Sequence, residues 1–341
     1  MQKLEQYLLR VWYGEKNSPW FLRCLVPLYV FLLQFRKLLY RIGLIKTVKL
    51  PKPVIVVGNI TVGGTGKTPV VMHLIELLRE HGLKPGVISR GYGGSRSHLA
   101  SVMLDTTSLA SEVGDEPYMI FQKTRVPFAI GKARVAAART LLANAPDVDV
   151  ILSDDGLQHR KLGRDHEIVV LDGQRGLGNG NLIPAGPLRE KKTRLHQADI
   201  LLCNGEPVHD SLQNLVLQSF TLEPGVICQL NSGRQQALTA LSGRSVHAFA
   251  GIGNPERFFN LLEKYEVKVT RHALGDHAAM PHKFFERHSN EIILMTEKDA
   301  VKYPDLQADN IWFVPVTLNL QSEAIDSMIS SLVEPTSKQT T

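Results

Sequence analysis

Short apolar runs alternate with helical patterns along the middle of the chain. Residues 54–57 form a compact apolar run followed by a glycine-rich turn, and apolar residues then recur at helical spacing from 70 to 78. His81 and Gly82 end this pattern, as residues that close a helix commonly do. A strand, a loop and a helix in this order are typical of a parallel sheet with helices on its faces. We therefore expect an α/β fold.

The alternation continues and predicts a doubly wound, mostly parallel core. We expect further core strands at residues 86–89, 126–130, 148–153, 167–171 and 200–203. One further helix is expected at residues 134–143. A polar stretch at residues 204–213 then indicates a domain boundary. A second, smaller α/β domain is predicted from the runs at residues 246–250, 255–265, 292–295 and 311–316.

The chain has 341 residues, enough for one large or two medium domains. We divide it into an N-terminal arm, a P-loop core, a smaller α/β domain that closes the cleft and a flexible tail, at residues 1–52, 53–205, 206–333 and 334–341. With 43% hydrophobic and 21% charged residues, the composition excludes disordered and fibrous classes. The three cysteines form no CxxC pair, so we expect neither a zinc knuckle nor disulfides, but a reducing cytosol.

The N-terminal arm is both strongly basic and strongly apolar. Before Pro53 it carries ten basic residues against two acidic ones, and residues 24–35 contain no charge. That run is shorter than the roughly 20 residues that cross a bilayer. Its aromatic and leucine side chains, flanked by Arg23, Arg36 and Arg41, suit an amphipathic helix in the interface of an anionic membrane. A helix packed on the core explains the same pattern. Nucleic-acid binding is less favoured, because no binding motif accompanies the basic residues.

The strongest chemical motif lies in the turn after the first predicted strand. It is predicted to bind the phosphates of ATP and consists of Thr61, Val62, Gly63, Gly64, Thr65, Gly66, Lys67 and Thr68. Lys67 would reach the β and γ phosphates, and the Thr68 hydroxyl would bind Mg²⁺. The P-loop pattern has glycine where this chain has Thr61, and a plain glycine-rich turn is the alternative. The strand before the motif and the helix after it favour nucleotide binding.

Two aspartates follow the strand predicted at residues 148–153. Asp154 is positioned like the acidic residue that binds Mg²⁺ in P-loop proteins. Asp154 and Asp155 could instead belong to a turn, where aspartate is common. The phosphate-binding motif upstream favours the metal site.

Six motifs accompany the phosphate-binding loop, and one of them contains the two aspartates. In chain order they are Gly58-Asn59, Ser89-Arg90-Gly91-Tyr92-Gly93, Gly114-Asp115-Glu116-Pro117, Asp154-Asp155-Gly156-Leu157-Gln158-His159, Pro184-Ala185-Gly186-Pro187-Leu188-Arg189-Glu190 and Thr296-Glu297-Lys298-Asp299-Ala300. Together with the loop they resemble the tetraacyldisaccharide 4'-kinase family of lipid A biosynthesis, which belongs to the P-loop NTPase superfamily. The resemblance extends from residues 12–14 to about residue 302.

This resemblance implies an ATP-dependent lipid kinase that uses Mg²⁺. The acceptor would be the 4'-hydroxyl of an acylated glucosamine disaccharide 1-phosphate, a precursor of lipopolysaccharide. Such enzymes are peripheral proteins on the cytoplasmic face of the bacterial inner membrane, which agrees with the basic, apolar arm. Neither nucleic acid nor an obligate protein partner is expected.

The resemblance also implies roles for single residues. Asp115 would be the catalytic base, and His277 would be the histidine that pairs with it, although the residues after His277 depart from the family pattern. Lys67 completes the catalytic set. Glu116 is a candidate metal-linked carboxylate, but it could simply begin a helix.

A second group of residues is expected to line the cleft or contact the substrate: Arg90, Tyr92, Asp155, Gln158, His159 and Arg189. Arg90 suits a lipid phosphate through bidentate contact, although a solvated arginine is equally compatible. Arg189 and Glu190 are either site groups or a structural ion pair. The charged run at 296–299 lies near the nucleotide in the family, and a solvated turn is the alternative.

Two other functions compete with the lipid kinase. A membrane-associated P-loop ATPase switch would carry a signature lysine at position 62, where this chain has Val62. A soluble small-molecule kinase would use the N-terminal arm only as a structural element. Release of ADP that depends on acceptor lipid separates the kinase from the switch, and membrane fractionation separates the two kinases.

Overall fold

The computed structural model describes residues 2–14 and 17–337, which form two β-sheets flanked by helices. The larger sheet has nine strands in the order β15 (Val316–Asn319), β8 (Gln218–Pro224), β7 (Ile200–Asn204), β6 (His166–Asp172), β1 (Val54–Gly58), β5 (Val150–Asp154), β2 (Pro85–Ser89), β4 (Phe128–Ile130) and β3 (Val102–Met103). The smaller sheet has six, in the order β10 (Gln235–Gln236), β9 (Ile227–Gln229), β14 (Ile311–Val314), β13 (Ile292–Thr296), β11 (Ser245–Ala250) and β12 (Lys268–Ala273).

Ten α-helices occur in the described residues. They are α1 (Gln2–Tyr13), α2 (Trp20–Arg41), α3 (Lys67–Glu80), α4 (Ala110–Val113), α5 (Asp115–Thr124), α6 (Arg134–Asn144), α7 (Pro255–Lys264), α8 (His282–Arg287), α9 (Glu297–Ala300) and α10 (Glu323–Ser337). Short 3₁₀ turns occur at Lys192–Gln197, Asp210–Leu212 and Leu238–Leu241.

Strand pairing in the larger sheet confirms the predicted mostly parallel α/β fold. Its neighbouring strands run parallel except at the edges, where β3 pairs with β4 and β15 with β8 in antiparallel fashion. The fully buried β1 lies between β5 and β6. Parallel strands end at the same edge of a sheet, so the residues after β1, β2 and β5 meet there.

Helices cover both faces of the larger sheet. On one face α3, α5 and α10 bury residues such as Leu74, Ile120 and Ile329. On the other face α6 contributes Leu141, and the half-buried Leu33 of α2 packs against the same cluster. Burial of apolar surface stabilises such a layer by roughly 25 cal/mol per Å².

The larger sheet extends beyond the residues 53–205 predicted for the core. Residues 218–224 and 316–319 form β8 and β15 of this sheet, and α10 packs on it through Ile325 and Ile329. These segments were predicted to belong to the smaller domain, so the boundary between residues 205 and 206 does not follow the hydrogen bonding. The chain leaves the larger sheet after β8, builds the smaller sheet and returns in β15.

The predicted tail at 334–341 begins inside a helix. Helix α10 extends to Ser337, and residues 338–341 lie outside the described residues.

The two sides of α2 in the N-terminal arm differ in their surroundings. Val26, Tyr29, Val30 and Leu33 pack against the core, whereas large apolar side chains on the other side are exposed. The exposed set is Trp20, Phe21, Leu25, Leu28, Phe31, Leu32, Phe35 and Leu38. Within residues 2–14 and 17–337, no helix has both the length and the apolar character needed to cross a bilayer.

Candidate active site

The glycine-rich motif forms a turn between β1 and α3, as its sequence predicts. Gly63 and Gly66 have positive φ angles of 112° and 95°, in a region that side chains other than glycine rarely adopt. A Cβ atom at Gly66 would lie 2.5 Å from the Asn204 side chain, which donates to the Thr65 carbonyl at 3.1 Å. Helix α3 begins at Lys67, so its N-terminal amides open into the turn. This arrangement suits the binding of an anion.

Two neighbouring contacts fix the start of this turn. The Val62 amide donates to the Pro187 carbonyl at 2.8 Å, and the Val62 carbonyl accepts from the Tyr13 hydroxyl at 2.5 Å. Thr61 forms an isolated bridge with Leu188. The Val62 amide is therefore occupied, which restricts the backbone donors available to a phosphate to the part of the motif from Gly63 onward.

The loop after β11 lies against this turn. A Cβ atom at Gly253 would lie 2.0 Å from the Gly64 amide nitrogen, so only glycine fits there. Arg175 Nη1 donates to the Gly253 carbonyl at 2.6 Å, and the Arg175 guanidinium lies 5.0 Å from the centre of the Tyr13 ring. Burial raises the pKa of Tyr13 to about 12, so this hydroxyl stays protonated and remains a donor. The smaller sheet and the arm both meet the turn here.

Asp154 and Asp155 are placed differently although they are adjacent. Asp154 ends β5 and is 1% exposed, and its Oδ2 accepts from Ser89 at 3.3 Å. Asp155 has a positive φ of 46° and faces two cations, with 3.5 Å to Lys67 Nζ and 3.3 Å to Arg189 Nη1. Burial acts to raise the pKa of Asp155, but the Lys67 and Arg189 charges lower it overall.

Buried polar atoms without partners concentrate around the two aspartates. Seven such side-chain atoms occur in the described residues, and five of them belong to Asn59, Thr65, Arg134, Ser153 and Asp154. Native proteins rarely leave buried polar atoms unpaired. Their concentration beside the turn indicates that a polar ligand completes this site.

The same observation tests whether these residues suit a divalent cation. Asp154 Oδ1 has no partner, and burial raises the pKa of Asp154 to about 7, with the Glu116 and Asp155 charges adding to the effect. A cation at the free oxygen would stabilise the charged carboxylate. The residues therefore fit Mg²⁺, with the Asp154 carboxylate, the Thr68 hydroxyl and the Glu116 carboxylate as candidate ligands.

Asp115 and His277 meet although 162 positions separate them. Asp115 begins α5, and its Oδ2 lies 3.2 Å from His277 Nδ1 and 3.7 Å from Lys302 Nζ. His277 has a positive φ of 62° on the loop between β12 and α8. Lys302 is in turn held at 2.7 Å by Asp299, which is fully buried. A carboxylate with an imidazole and an ammonium on one side is suited to hold a hydroxyl and accept its proton.

A second ion-pair cluster adjoins this pair. Lys298 Nζ lies 2.8 Å from Glu116 and 3.0 Å from Asp276, the residue before His277. Burial acts to lower the pKa of Lys298, but its two carboxylate partners raise it overall, so the lysine stays charged. Electrostatic effects of Lys67 on Asp276 and of Glu116 on Asp154 connect this cluster with the turn.

The other predicted cleft residues lie around this centre. Gln158 donates to the Asn59 carbonyl at 2.9 Å, and Arg189 bridges Asp155 and Gln158. The ring of Tyr92, 64% exposed, lies 5.2 Å from that of His277. These contacts place Gln158, Arg189 and Tyr92 at the site.

His159 and Arg90, the two other residues predicted to line the cleft, have fewer contacts with the site. Burial lowers the pKa of His159 to about 4, and the Arg134 charge adds to the effect, so the imidazole is neutral. Arg90 is exposed at the end of β2.

Sequence reasoning missed several residues of the site. Arg134 is 2% exposed and donates to the carbonyls of both Asp154 and Asp155, at 3.2 and 3.4 Å. Lys302, Asn204 and Gly253 also contact the site, and none belongs to a recognisable local motif. The signal available for Arg134 is an arginine at the start of a helix, where cations are usually unfavourable.

Comparisons with known proteins agree with this geometry. The family described as Tetraacyldisaccharide-1-P 4'-kinase matches residues 18–334. A tetraacyldisaccharide 4'-kinase of Methylobacillus flagellatus is 43% identical over 339 residues, with 99% of each chain covered. The enzyme of the same name from Shewanella frigidimarina is 46% identical over 331 residues, which cover 96% of each chain.

A solved structure resembles the whole fold. It is a crystal structure of LpxK from Aquifex aeolicus in complex with ATP, with a TM-score of 0.72 and 28% sequence identity. The alignment covers 91% of the present chain and 98% of that protein. Sequence and fold thus agree, and the chain belongs to the tetraacyldisaccharide-1-P 4'-kinase family.

Proposed function

We propose that this protein transfers the γ-phosphate of ATP to the 4'-hydroxyl of a tetraacyldisaccharide 1-phosphate. Kinase activity on a lipid A precursor follows from the family. One observation carries the assignment of residues: Asp115 and His277 lie 3.2 Å apart, and their chain neighbours Glu116 and Asp276 both pair with Lys298. In this proposal the pair supplies the proton acceptor for the alcohol, and the turn supplies the binding site for the triphosphate.

The turn binds the triphosphate. Amides from Gly63 to Thr68 surround the phosphate oxygens, and Lys67 neutralises the β and γ phosphates. Lys67 also lies 3.5 Å from Asp155, so its ammonium group can reach either this carboxylate or a phosphate. Arg189, on the other side of Asp155, is available to the transferred phosphoryl group or to the phosphate of the lipid.

Asp115 orients the acceptor hydroxyl and receives its proton. Bond formation between the hydroxyl oxygen and the γ-phosphorus accompanies cleavage of the bond to the β-phosphate oxygen, and ADP leaves. His277 Nδ1 and Lys302 Nζ lie 3.2 and 3.7 Å from Asp115 Oδ2 and orient the carboxylate toward the acceptor. Tyr92 packs on the His277 ring and holds its orientation.

Mg²⁺ would be held by Asp154 and Thr68, with Glu116 as a further carboxylate. When bound, it neutralises charge on the β and γ phosphates.

The lipid reaches the site from the N-terminal arm. Arg36 of α2 donates to the Gln158 carbonyl at 2.8 Å, and Tyr29 donates to the Arg189 carbonyl at 2.8 Å. These contacts attach α2 directly to residues of the cleft, while its apolar residues on the other side stay exposed. This supports a peripheral protein at the cytoplasmic face of the inner membrane, with α2 in the interface and the smaller domain closing the cleft over the reactants.

Turnover with labelled ATP tests the proposal. Purified protein is incubated with tetraacyldisaccharide 1-phosphate in detergent micelles and, separately, with empty micelles. We expect labelled lipid and ADP in equal amounts with the acceptor, and almost no ADP without it. Equal ADP release in both reactions would instead favour an ATPase switch.

A further inference from the structure

A cluster of histidines lies in the smaller sheet, apart from the residues assigned to transfer. His247 on β11 and His288 at the end of α8 both contact the same oxygen of Glu291, which precedes β13. His288 Nδ1 lies 2.9 Å from Glu291 Oε2, and His247 Nε2 is in direct contact with it. The ligand atoms of the three residues lie within 4.8 Å of one another. Strand β11 and the short connection between α8 and β13 thus present two nitrogens and one oxygen to a common point.

We propose that His247, His288 and Glu291 bind a divalent transition-metal ion of the zinc type. Two imidazoles and a carboxylate are a common ligand set for such ions, and the donor atoms of a tetrahedral site are about 3.3 Å apart. The contacts to Glu291 would lengthen slightly and the widest spacing, at most 4.8 Å, would shorten to reach that value. The Glu291 side chain is 50% exposed, so the ion can enter from solvent and water can complete its coordination.

His272 supplies the supporting contact that metal-binding histidines usually have. Its Nε2 lies 3.0 Å from His247 Nδ1, on the side of the ring opposite to Glu291. When His247 Nδ1 donates there, its Nε2 is left with a lone pair for the ion.

The ion would join elements on both sides of the loop that carries His277. That loop connects β12, which holds His272, with α8, which ends before His288. Phe284 packs against His272 and His288, with ring centres 4.8 and 4.5 Å apart, so α8 is already positioned on the sheet. The bound ion would tie the end of α8 to β11 and restrict the loop between β12 and α8.

Cobalt(II) tests the site in the full-length protein. The metal-free protein is titrated with Co²⁺ in excess Mg²⁺, which occupies oxygen-rich sites, and visible d–d absorption is recorded. We expect one equivalent of Co²⁺ to produce bands of a four-coordinate site and Zn²⁺ to displace it. Zn²⁺ alone should also raise the Tm of the wild-type protein.

Three variants and a control distinguish ligands from neighbours. Glu291→Gln and His288→Ala should weaken Co²⁺ binding at least 100-fold and abolish the Tm increase, whereas His272→Ala should weaken binding about 10- to 100-fold. His196→Ala, at an exposed histidine elsewhere, should bind like the wild type. If the wild type gives no d–d band, or if the band persists in both Glu291→Gln and His288→Ala, the site does not exist. Should His288→Ala fail to fold, the exposed Glu291→Gln substitution decides alone.

Discussion

Asp154 and Asp155 are consecutive residues whose carboxyl groups have oppositely shifted pKa values. Burial raises the pKa of Asp154 to about 7, whereas Asp155 has a lowered pKa because Lys67 and Arg189 outweigh its burial. The positive φ of Asp155 separates the two side chains. Among residues 2–14 and 17–337, no cation pairs with the Asp154 carboxylate, whereas Asp155 has two, which is why we propose the metal at Asp154 and not at Asp155.

This difference predicts a stability that depends on pH and on Mg²⁺. Between pH about 4 and about 7, folded Asp154 keeps a proton that the unfolded chain has released, so the free energy of unfolding falls as pH rises. The shift from the ordinary 3.8 to about 7 limits the effect to about 4 kcal/mol. We expect Asp154→Asn to be more stable than the wild type at pH 8 without divalent cation. Thermal unfolding from pH 5 to 8 measures this, and parallel curves for the two proteins would contradict it.

Loss of Lys67 should impair transfer without unfolding the protein. In the proposed mechanism its side chain neutralises phosphate charge in the transition state. Removal of one such contact typically lowers the rate by about 10²- to 10³-fold. Lys67→Ala should therefore reduce kcat by about that factor. Lys84→Ala, which removes an exposed lysine paired with Asp147, is the matched control and should keep full activity. Unchanged kcat in Lys67→Ala would remove this residue from the mechanism.

Asp115 and His277 should act as a unit. Asp115→Asn preserves the shape but removes the proton acceptor, and we expect kcat to fall by about 10²- to 10⁴-fold. His277→Ala should cause a smaller loss, and the double variant should be no worse than Asp115→Asn alone. Rates of all three, with the exposed Asp147→Asn as control, test this coupling. Multiplied losses in the double variant would mean that the residues act independently.

Gly253 should be intolerant of any side chain. The Cβ atom of Gly253→Ala would meet the Gly64 amide nitrogen at 2.0 Å, so the turn or the loop after β11 must move. We expect weaker binding of ATP, measured by titration, with the far-UV spectrum unchanged. Gly225→Ala, where the nearest atom is 3.7 Å away, is the control. Wild-type affinity in Gly253→Ala would show that the two loops separate when nucleotide binds.

The exposed side of α2 should determine membrane binding. Leu28→Ser together with Phe31→Ser replaces two side chains that are 58% and 62% exposed, so folding stability should change little. Burial of each in a membrane would contribute up to about 1.5–3 kcal/mol. We therefore expect binding to anionic vesicles to weaken at least tenfold, with Val216→Ser as control, measured by sedimentation. Retained vesicle binding would assign α2 a purely structural role.

Parts of the candidate site that are encoded by neighbouring residues could be predicted from the sequence, whereas contacts between residues far apart in the sequence could not. The turn at 61–68 was recognisable because glycine spacing, Lys67 and the flanking elements are local. The contact of Asp115 with His277 spans 162 positions, and only resemblance to a family suggested it. Lys302 and Gly253 carry no local signature, since their importance arises from packing across two sheets.

The fold shows the same division. Central strands are uniformly apolar and were predicted within a few residues. Edge strands β8 and β15 mix buried and exposed positions, so the sequence pattern did not predict that they belong to the larger sheet. For the N-terminal arm, the sequence could not predict which side of α2 packs on the core, because hydrophobic residues occur all around the helix.

The antiparallel pairing of β8 with β15 has a consequence for the chain path. Pro224, where the chain departs, is paired with Val316, where it comes back, so the chain enters and leaves the segment 225–315 at a single pair of the ladder. Two residues paired in this way are only about 5 Å apart, and a tight hairpin could replace the whole segment without disturbing the nine strands. His277, Lys298 and Lys302 all belong to that appended segment, while Asp115 and Lys67 do not. A shortened chain would thus keep residues 61–68 but lose both the loop that packs on them through Gly253 and the residues that contact Asp115.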